Sequence, residues 1–204
     1  MKSPVWITTH SGKMDGIRSI STNPLSNTFC STMHNCGKGG MICTHCYAFT
    51  LTKLRESMRN HIQENSELLS KSVLIPSVLP KYSDELMRFN SFGELINANH
   101  LINLFSICNN NPQTTHVLYT KRMNLVEMFH CFIPKNLIIV ESNPIINMVR
   151  TKPQSWAADL VFNVVTKDYC KDDGRLITCI QNCDKCRKCY TKSYKGKFIV
   201  EMLK

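Results

Sequence analysis

The chain has 204 residues, of which 43% are hydrophobic and 20% charged, with 8 Gly and 8 Pro. These values exclude collagenous and low-complexity proteins and predict a folded core in one domain or little more. The formal net charge of +10 is consistent with a nucleic-acid partner. The 11 cysteines provide an alternative explanation for this positive charge. Four thiolates around a zinc ion or a four-iron cluster leave a site with a charge of about −2, which basic residues can offset.

No stretch of the sequence reaches the roughly 18 apolar residues that span a bilayer, and the N-terminal MKSPVWITTHSGK has no apolar signal block. We therefore expect a cytoplasmic protein without a membrane partner. Disulfides are rare in that compartment and the cysteine count is odd, so we expect metal ligation rather than a disulfide framework.

Cysteine density divides the chain into three parts. Four cysteines fall within residues 30–46 and five fall within 170–189. The remaining two, Cys108 and Cys131, lie in apolar helical patterns, where we expect buried free cysteines. The sequence therefore predicts a core domain at residues 1–166, which includes the N-terminal cysteine loop, and a cysteine-rich extension at 167–204 that packs on it.

The middle of the chain alternates between helical and extended patterns. A helix is predicted over 47–69, directly after the first cysteine group, because apolar residues recur at spacings of three and four without Gly or Pro. The later predicted elements are a strand over 86–90, a helix over 95–108, a strand over 116–120, a helix over 125–132 and strands over 137–141 and 160–165. Strands separated by helices pair in parallel through right-handed crossovers. We therefore expect an α/β fold with a partial (β/α) barrel-like parallel sheet, a cysteine-rich N-terminal loop and a C-terminal cluster-binding extension.

Polar residues follow the predicted strands, at the edge where parallel sheets bind ligands. Glu94 and Lys121 are candidate catalytic residues there, and Lys121 could neutralise a carboxylate or phosphate. Ser142 is a candidate cofactor contact, and Arg88, on the first of these strands, could point into the barrel. Alternatively, Glu94 lies in the first turn of the next helix, where the helix dipole favours a carboxylate.

The first cysteine group consists of Cys30, Cys36, Cys43 and Cys46. A C-x2-C pair on a tight turn directs two sulfurs at one site, so Cys43 and Cys46 are predicted metal ligands. The glycines between the cysteines let the backbone pass close to a cluster.

The second group contains Cys183-x2-Cys186-x2-Cys189, which is the triple spacing of ferredoxin-type clusters. A ferredoxin-like fourth cysteine would fall at Ser193, so the fourth ligand must come from elsewhere. We choose Cys179 over the earlier cysteine of this group or one of the N-terminal group.

Zinc is the alternative metal. The C-x2-C pairs at 43–46 and 186–189 could close one tetrahedral zinc site between the ends of the chain. Because zinc would leave many cysteines unused, we expect one or two 4Fe-4S clusters. A zinc-stabilised nucleic-acid-binding module ranks last, since neither an RNA-binding aromatic signature nor a helix-turn-helix stands out.

The residues resemble the radical SAM superfamily, and more closely an uncharacterised, phage-type family of cysteine-rich proteins that looks related to it. The resemblance covers most of the chain and rests on SGKMDGIRSISTN, CTHCYA, MRFNSFGEL, VLYTK, VESN and the terminal C-x2-C-x2-C. It implies a 4Fe-4S cluster with one iron open to S-adenosylmethionine, and Tyr47 as the aromatic residue beside the last cysteine. Phe92-Gly93-Glu94 is similar to the Gly-Gly-Glu type motif that binds the S-adenosylmethionine amine, so Gly93 and Glu94 are candidate cofactor-binding residues.

The cysteine spacing departs from that family's pattern. Cys36, Cys43 and Cys46 are separated by six and then two residues rather than three and two, and Cys30 is near enough to close a four-cysteine shell. An open shell implies reductive cleavage of S-adenosylmethionine, an electron donor and an unknown substrate. A closed shell implies a non-enzymatic protein with a structural, electron-transfer or nucleic-acid-binding role. The C-terminal group resembles a shortened auxiliary-cluster extension.

Overall fold

The computed structural model describes residues 3–37, 39–170, 177–191, 194 and 198–203, and within them the chain forms a six-stranded sheet and six α-helices. The strands are β1 (Arg18–Ile20), β2 (Leu86–Phe89), β3 (Thr115–Thr120), β4 (Leu137–Ser142), β5 (Leu160–Val165) and β6 (Phe198–Met202). The helices are α1 (Thr28–Asn35), α2 (Tyr47–Leu54), α3 (Glu56–Lys71), α4 (Ala98–Asn110), α5 (Met123–Met128) and α6 (Cys183–Cys186). Short 3-10 turns include Gly12–Met14, Ile42–His45, His130–Phe132 and Lys188–Tyr190.

All six strands are parallel, and their order across the sheet is their order along the chain. Such an order is typical of a barrel wall, whereas a doubly wound sheet reverses its order at a switch point. In the described part of the chain β1 and β6 lie at opposite edges, so the sheet is open. The predicted α/β fold with a parallel sheet is confirmed, as an open wall rather than a closed barrel.

The first face of the sheet is covered by α3, α4 and α5. Successive side chains of a strand point to opposite faces, and Phe89, Leu118 and Ile139 are fully buried on this one. The helices contribute Leu69, Leu101, Leu104, Leu125 and Val126. This contact removes the largest apolar area from water and forms the main core.

The second face of the sheet, opposite α3, α4 and α5, is covered by the two ends of the chain. Side chains of β3 and β4 pack there with Met14 from the N-terminal 3-10 turn. Tyr190, Cys183 and Cys189 from the C-terminal cysteine group pack on the same cluster. The second cysteine group therefore lies directly against the sheet.

The predicted strands are confirmed, with ends that differ by one residue at most. The helix predicted over 47–69 is instead two helices, because Arg55 adopts an extended conformation (φ −115°, ψ 90°) between α2 and α3. The helix predicted over 95–108 begins three residues later, where the Asn97 side chain caps it by accepting a hydrogen bond from the His100 N–H. None of the helices in the described segments is long and apolar enough to cross a bilayer.

Sequence patterns did not reveal β1, α1 or β6. β1 has only three residues, which is too short for a clear periodicity, and β6 lies in the C-terminal segment that the cysteine spacing assigned to cluster binding. α1 lies within the cysteine loop and is capped by Asn27, whose side chain accepts hydrogen bonds from the N–H groups of Phe29 and Cys30. β6 pairs with β5, so the C-terminal segment contributes a strand to the same sheet.

The two cysteines of the middle segment have different surroundings. Cys108 is fully buried in α4, as its apolar neighbours predict. Cys131 is exposed, so its predicted burial in an apolar helix is wrong. The reason is local: α5 ends at Met128, and Cys131 falls in the 3-10 turn that follows.

Two histidines are buried in the main core. His100 and His116 are 1% and 0% exposed. Burial lowers the pKa of His100 to about 3 and that of His116 to about 4. His116 lies 2.8 Å from the Tyr82 hydroxyl and 3.3 Å from the Asn136 amide nitrogen, so its neutral ring is held by hydrogen bonds.

We predict that replacing His116 by Gln weakens the pH dependence of stability. In the folded protein His116 stays neutral down to about pH 4, whereas the unfolded chain takes up this proton near pH 6.5. The unfolded state therefore binds more protons between these values, and the free energy of unfolding falls as the pH falls, by about 1.4 kcal/mol per pH unit for each such histidine.

Urea unfolding of wild type and His116→Gln between pH 7 and 4.5 measures this slope. His130→Gln is the matched control, because it makes the same substitution at an exposed histidine outside the core. Equal slopes for wild type and His116→Gln would contradict the assignment.

Candidate functional site

Glu94 joins the loop after β2 to the end of β3. Its side chain is buried and accepts hydrogen bonds from the Leu95 N–H (2.8 Å), the Thr120 hydroxyl (2.6 Å) and the Lys121 N–H (2.8 Å). Glu94 precedes α4 by four residues, so the alternative that it lies in the first helical turn is wrong. The carboxylate instead fixes the geometry of the carboxyl edge of the sheet.

Gly93 is required by a close approach of two backbones. It adopts a left-handed conformation (φ 77°), and a Cβ atom there would overlap the carbonyl oxygen and the hydroxyl of Thr22. The same contact includes a hydrogen bond from the Thr22 N–H to the Phe92 carbonyl at 3.2 Å. The glycine therefore has a packing role in the loop, and its predicted cofactor contact stays a prediction.

A hydroxyl cluster lies beside this loop, at the carboxyl ends of β1 and β2. His10 Nε2 is 2.7 Å from Ser19 Oγ, and Ser91 Oγ is 2.7 Å from Ser19 Oγ and 2.8 Å from Ser21 Oγ. The exposed ring of Tyr47 reaches the cluster by donating a hydrogen bond from its hydroxyl to the Ser91 carbonyl at 3.1 Å. No local motif could have found it, because β1 and β2 are far apart in the sequence.

Three N-terminal cysteines lie close to Lys121. Cys30 is in α1, Cys43 is in the turn Ile42–His45, and Cys46 immediately precedes α2. Burial raises the pKa of both Cys30 and Cys43, with Lys121 acting against this effect. The helix and the turn thus bring together sulfurs that are up to 16 positions apart in the sequence.

Cys36 differs from the other three. It follows α1, is exposed, and its Sγ is 3.1 Å from the Met33 carbonyl oxygen. It is close enough to Cys43 to contribute to the raised pKa of that thiol. The N-terminal group therefore has three half-buried cysteines, here called the inner cysteines, and one exposed cysteine, Cys36.

Lys121 is the cation of the N-terminal site. Burial disfavours its charge, but Cys43, Glu94 and Cys46 outweigh burial and raise its pKa. Ser142, the last residue of β4, lies at the same edge of the sheet. The predicted residues Glu94, Lys121 and Ser142 are therefore at one edge with the inner cysteines beside them.

The C-terminal cysteines line one small cleft on the second face. The predicted ligands Cys179, Cys183, Cys186 and Cys189 all lie on its walls. Three basic side chains, Lys13, Arg187 and Lys188, line the same cleft. The structure thus brings the triple Cys183, Cys186 and Cys189 and the chosen fourth cysteine, Cys179, together among basic side chains.

Arg88 packs against Tyr119, one of the residues that line this cleft. Its guanidinium carbon is 4.0 Å from the centre of the Tyr119 ring, and its Nη1 is 3.4 Å from Met14 Sδ. Part of the side chain remains accessible, but Nε is enclosed and has no hydrogen-bond partner among the described residues. No carboxylate in the described part of the chain forms an ion pair with it.

Burial disfavours the charge of Arg88, but the hydroxyls of Tyr119, Tyr47 and Tyr190 and then the Cys183 thiol outweigh burial and raise its pKa. Burial raises the pKa of Cys183 and of Cys189, and Arg88 acts against burial at both. Tyr119 and Cys189 both line the cleft. The buried hydroxyl of Tyr190 also has no hydrogen-bond partner in the described residues. Arg88 Nε and the Tyr190 hydroxyl are therefore two buried donors without an acceptor among the described residues.

Within the described segments, no three or more His, Cys, Asp or Glu side chains are arranged to hold a single metal ion. The family described as gene product 88 matches residues 8–192, which is most of the chain. This match supports the phage-type family that the sequence predicted. No curated protein and no solved structure matches the chain.

We predict that Gly93→Ala destabilises the protein more than Gly12→Ala does. Both glycines have positive φ, but a Cβ at Gly12 would meet no atom within 4 Å, whereas at Gly93 it would overlap Thr22. We expect a loss of about 1 kcal/mol at Gly12 from the left-handed conformation alone. At Gly93 overpacking brings the loss to about 3 kcal/mol.

Urea unfolding of the two variants beside wild type tests the difference. A similar loss of stability in both would show that the Gly93 loop can move away from β1.

Proposed function

We propose that this chain, which belongs to the gene product 88 family, is an iron-sulfur protein with one cysteine site at the carboxyl edge of the sheet and another on its second face. The observation that carries the proposal is that each cysteine group lies beside a partly enclosed cation, Lys121 or Arg88. A cation removed from water costs free energy unless an anion compensates it. A thiolate-bound cluster provides that negative charge.

The chemistry of the donor set fits this cofactor. Cysteine thiolates are the usual ligands of 4Fe-4S clusters, and these ligands stand further apart than those of one ion because the cluster lies between them. At both sites burial raises the pKa of thiols and so disfavours their ionisation. Metal binding would therefore displace their protons, and the nearby cations would stabilise the thiolates that remain.

We assign the inner cysteines Cys30, Cys43 and Cys46 to three irons of the N-terminal cluster. Cys36 is the residue that decides between an open and a closed shell. If it stays outside, the fourth iron is open and S-adenosylmethionine is the proposed cofactor, bound at the edge formed by Tyr47 and Ser142. An open cluster supplies the electron for reductive cleavage of that cofactor, and the substrate is unknown.

The closed shell is the second candidate, and one observation favours it. The Glu94 carboxylate, proposed to hold the S-adenosylmethionine amine, already accepts three internal hydrogen bonds. A carboxylate has about four acceptor positions, so one is left for a ligand. With Cys36 as fourth ligand the protein would be a structural or electron-transfer protein.

We predict about eight irons and eight sulfides per chain in protein purified without oxygen, which is two 4Fe-4S clusters. Cys183→Ser should remove about four of each, because Cys183 lines the C-terminal cleft. Cys131→Ser is the matched control, since Cys131 is exposed and outside both groups, and it should change neither count. Zinc without sulfide would contradict the proposal.

We predict that Cys30→Ser loses the N-terminal cluster and that Cys36→Ser keeps it. Iron and sulfide analysis of the two variants tests this, because both are serine substitutions in the same loop and differ in exposure: Cys30 is half-buried and Cys36 is exposed. In the open form, S-adenosylmethionine should then alter the electron spin resonance of the reduced cluster in wild type. Loss of the cluster in Cys36→Ser would establish the closed shell instead.

A further inference from the structure

We infer that Arg88, Asn90 and the hydroxyl cluster beside them form a binding site for a small anionic ligand, which carries a carboxylate or a phosphate group. The site lies on the second face of the sheet, near its carboxyl edge. The inference goes beyond the proposed function, because it requires neither cluster and assigns these residues a ligand of their own. It depends on the register of the strands and on polar atoms that the chain itself leaves unpaired.

The pairing of β1 with β2 places Arg88 beside the hydroxyl cluster. Ser19, a member of that cluster, is the register partner of Arg88. Paired residues of neighbouring parallel strands lie about 5 Å apart on the same face of the sheet. That face is the second one, because Arg88 contacts Met14 and Tyr119 there. The backbone therefore makes the guanidinium and the hydroxyl cluster neighbours.

Arg88 brings a positive charge that has no carboxylate partner. None of the ion pairs in the described segments includes it. Its Nε has no hydrogen-bond partner there, and its Nη1 donates to the sulfur of Met14. A guanidinium has five N–H donors in a planar fork that matches the oxygens of a carboxylate or a phosphate. The donors that Met14 does not use can therefore serve an oxyanion, with or without a thiolate cluster nearby.

Asn90 supplies a second set of unpaired polar atoms. It immediately follows β2, two residues after Arg88, and is 5% exposed. Neither its amide oxygen nor its amide nitrogen has a hydrogen-bond partner in the described residues. Burying an amide without partners costs free energy, so such a residue indicates a ligand. An oxyanion can accept from the amide nitrogen, and a neighbouring O–H or N–H group of the same ligand can donate to the amide oxygen.

The carboxyl edge of the sheet gives access to this site. Part of the Arg88 side chain and part of His10 remain accessible, and Tyr47 is 58% exposed. Tyr47 forms the rim, since its hydroxyl donates to the Ser91 carbonyl at 3.1 Å and its ring packs edge-on against Phe92. This edge is also where parallel sheets bind their ligands.

Isothermal titration calorimetry of the anaerobically purified full chain tests the inference. The probes are inorganic phosphate and, separately, acetate, at an ionic strength held constant with sodium chloride. We expect at least one of the two anions to bind at one site per chain, and the stronger binder identifies the group that the ligand carries. Arg88→Gln should weaken this binding about tenfold or more, because it removes charge-assisted hydrogen bonds to the anion.

Arg59→Gln is the matched control. It removes the same charge from α3, which covers the first face of the sheet, and it should leave the binding unchanged. Asn90→Asp should abolish the binding, because it places a negative charge in the site. Aspartate keeps the shape of asparagine and tolerates the left-handed conformation of this residue (φ 57°). No hydrogen bond to the described residues is lost in this variant, so it serves as the test if Arg88→Gln does not fold.

The inference is overturned if neither anion binds to the wild type, or if Arg88→Gln binds as tightly as Arg59→Gln. Binding of wild-type strength in Asn90→Asp would also overturn it. Failure of the proposed function has a different signature, which is protein without iron and sulfide. Metal analysis detects that failure whether or not an anion binds.

Discussion

A parallel sheet whose strands follow chain order has two faces to cover, and this constraint shapes the whole molecule. α3, α4 and α5 cover the first face and build the main core with it. The second face must then be closed by other parts of the chain, because its strand residues are apolar as well. The N-terminal and C-terminal segments of the chain pack on this second face, and each segment contains a cysteine group.

The arrangement places each cysteine group against a charged residue of the sheet wall. Lys121 immediately follows β3, and Arg88 lies within β2, so both cations are fixed by strands rather than by flexible loops. Glu94 links the carboxyl ends of these two strands, since it follows β2 and accepts hydrogen bonds from Thr120 and Lys121 at the end of β3.

The sequence predicts the features that depend on local pattern. The buried strands, with runs such as LIIVE and LVFNVV, are predicted almost to the residue, and the spacing from Cys183 to Cys189 selects a group that lines one cleft. Features that depend on contacts between distant segments are not predictable in this way. Cys30 joins the inner cysteines because Asn27 starts α1 at a particular position, and the Ser19–Ser91 cluster requires β1 and β2 to pair. Gly93 is the clearest example of a feature that local sequence pattern does not explain. Its motif suggests a cofactor contact, whereas the structure shows that glycine is needed there because a Cβ atom would overlap Thr22.

The position of β6 has a consequence for how the protein matures. β6 follows the C-terminal cysteines in the chain and forms an edge of the sheet beside β5, so those cysteines lie in the connection between two neighbouring strands. The Thr178 and Cys179 N–H groups already donate hydrogen bonds to the Val200 carbonyl of β6. Under the proposed function, free energy gained by binding a cluster at this connection would also favour docking of the last strand. Assembly of the proposed cofactor and completion of the sheet would then be coupled, so that binding of the cluster would protect the edge of the sheet.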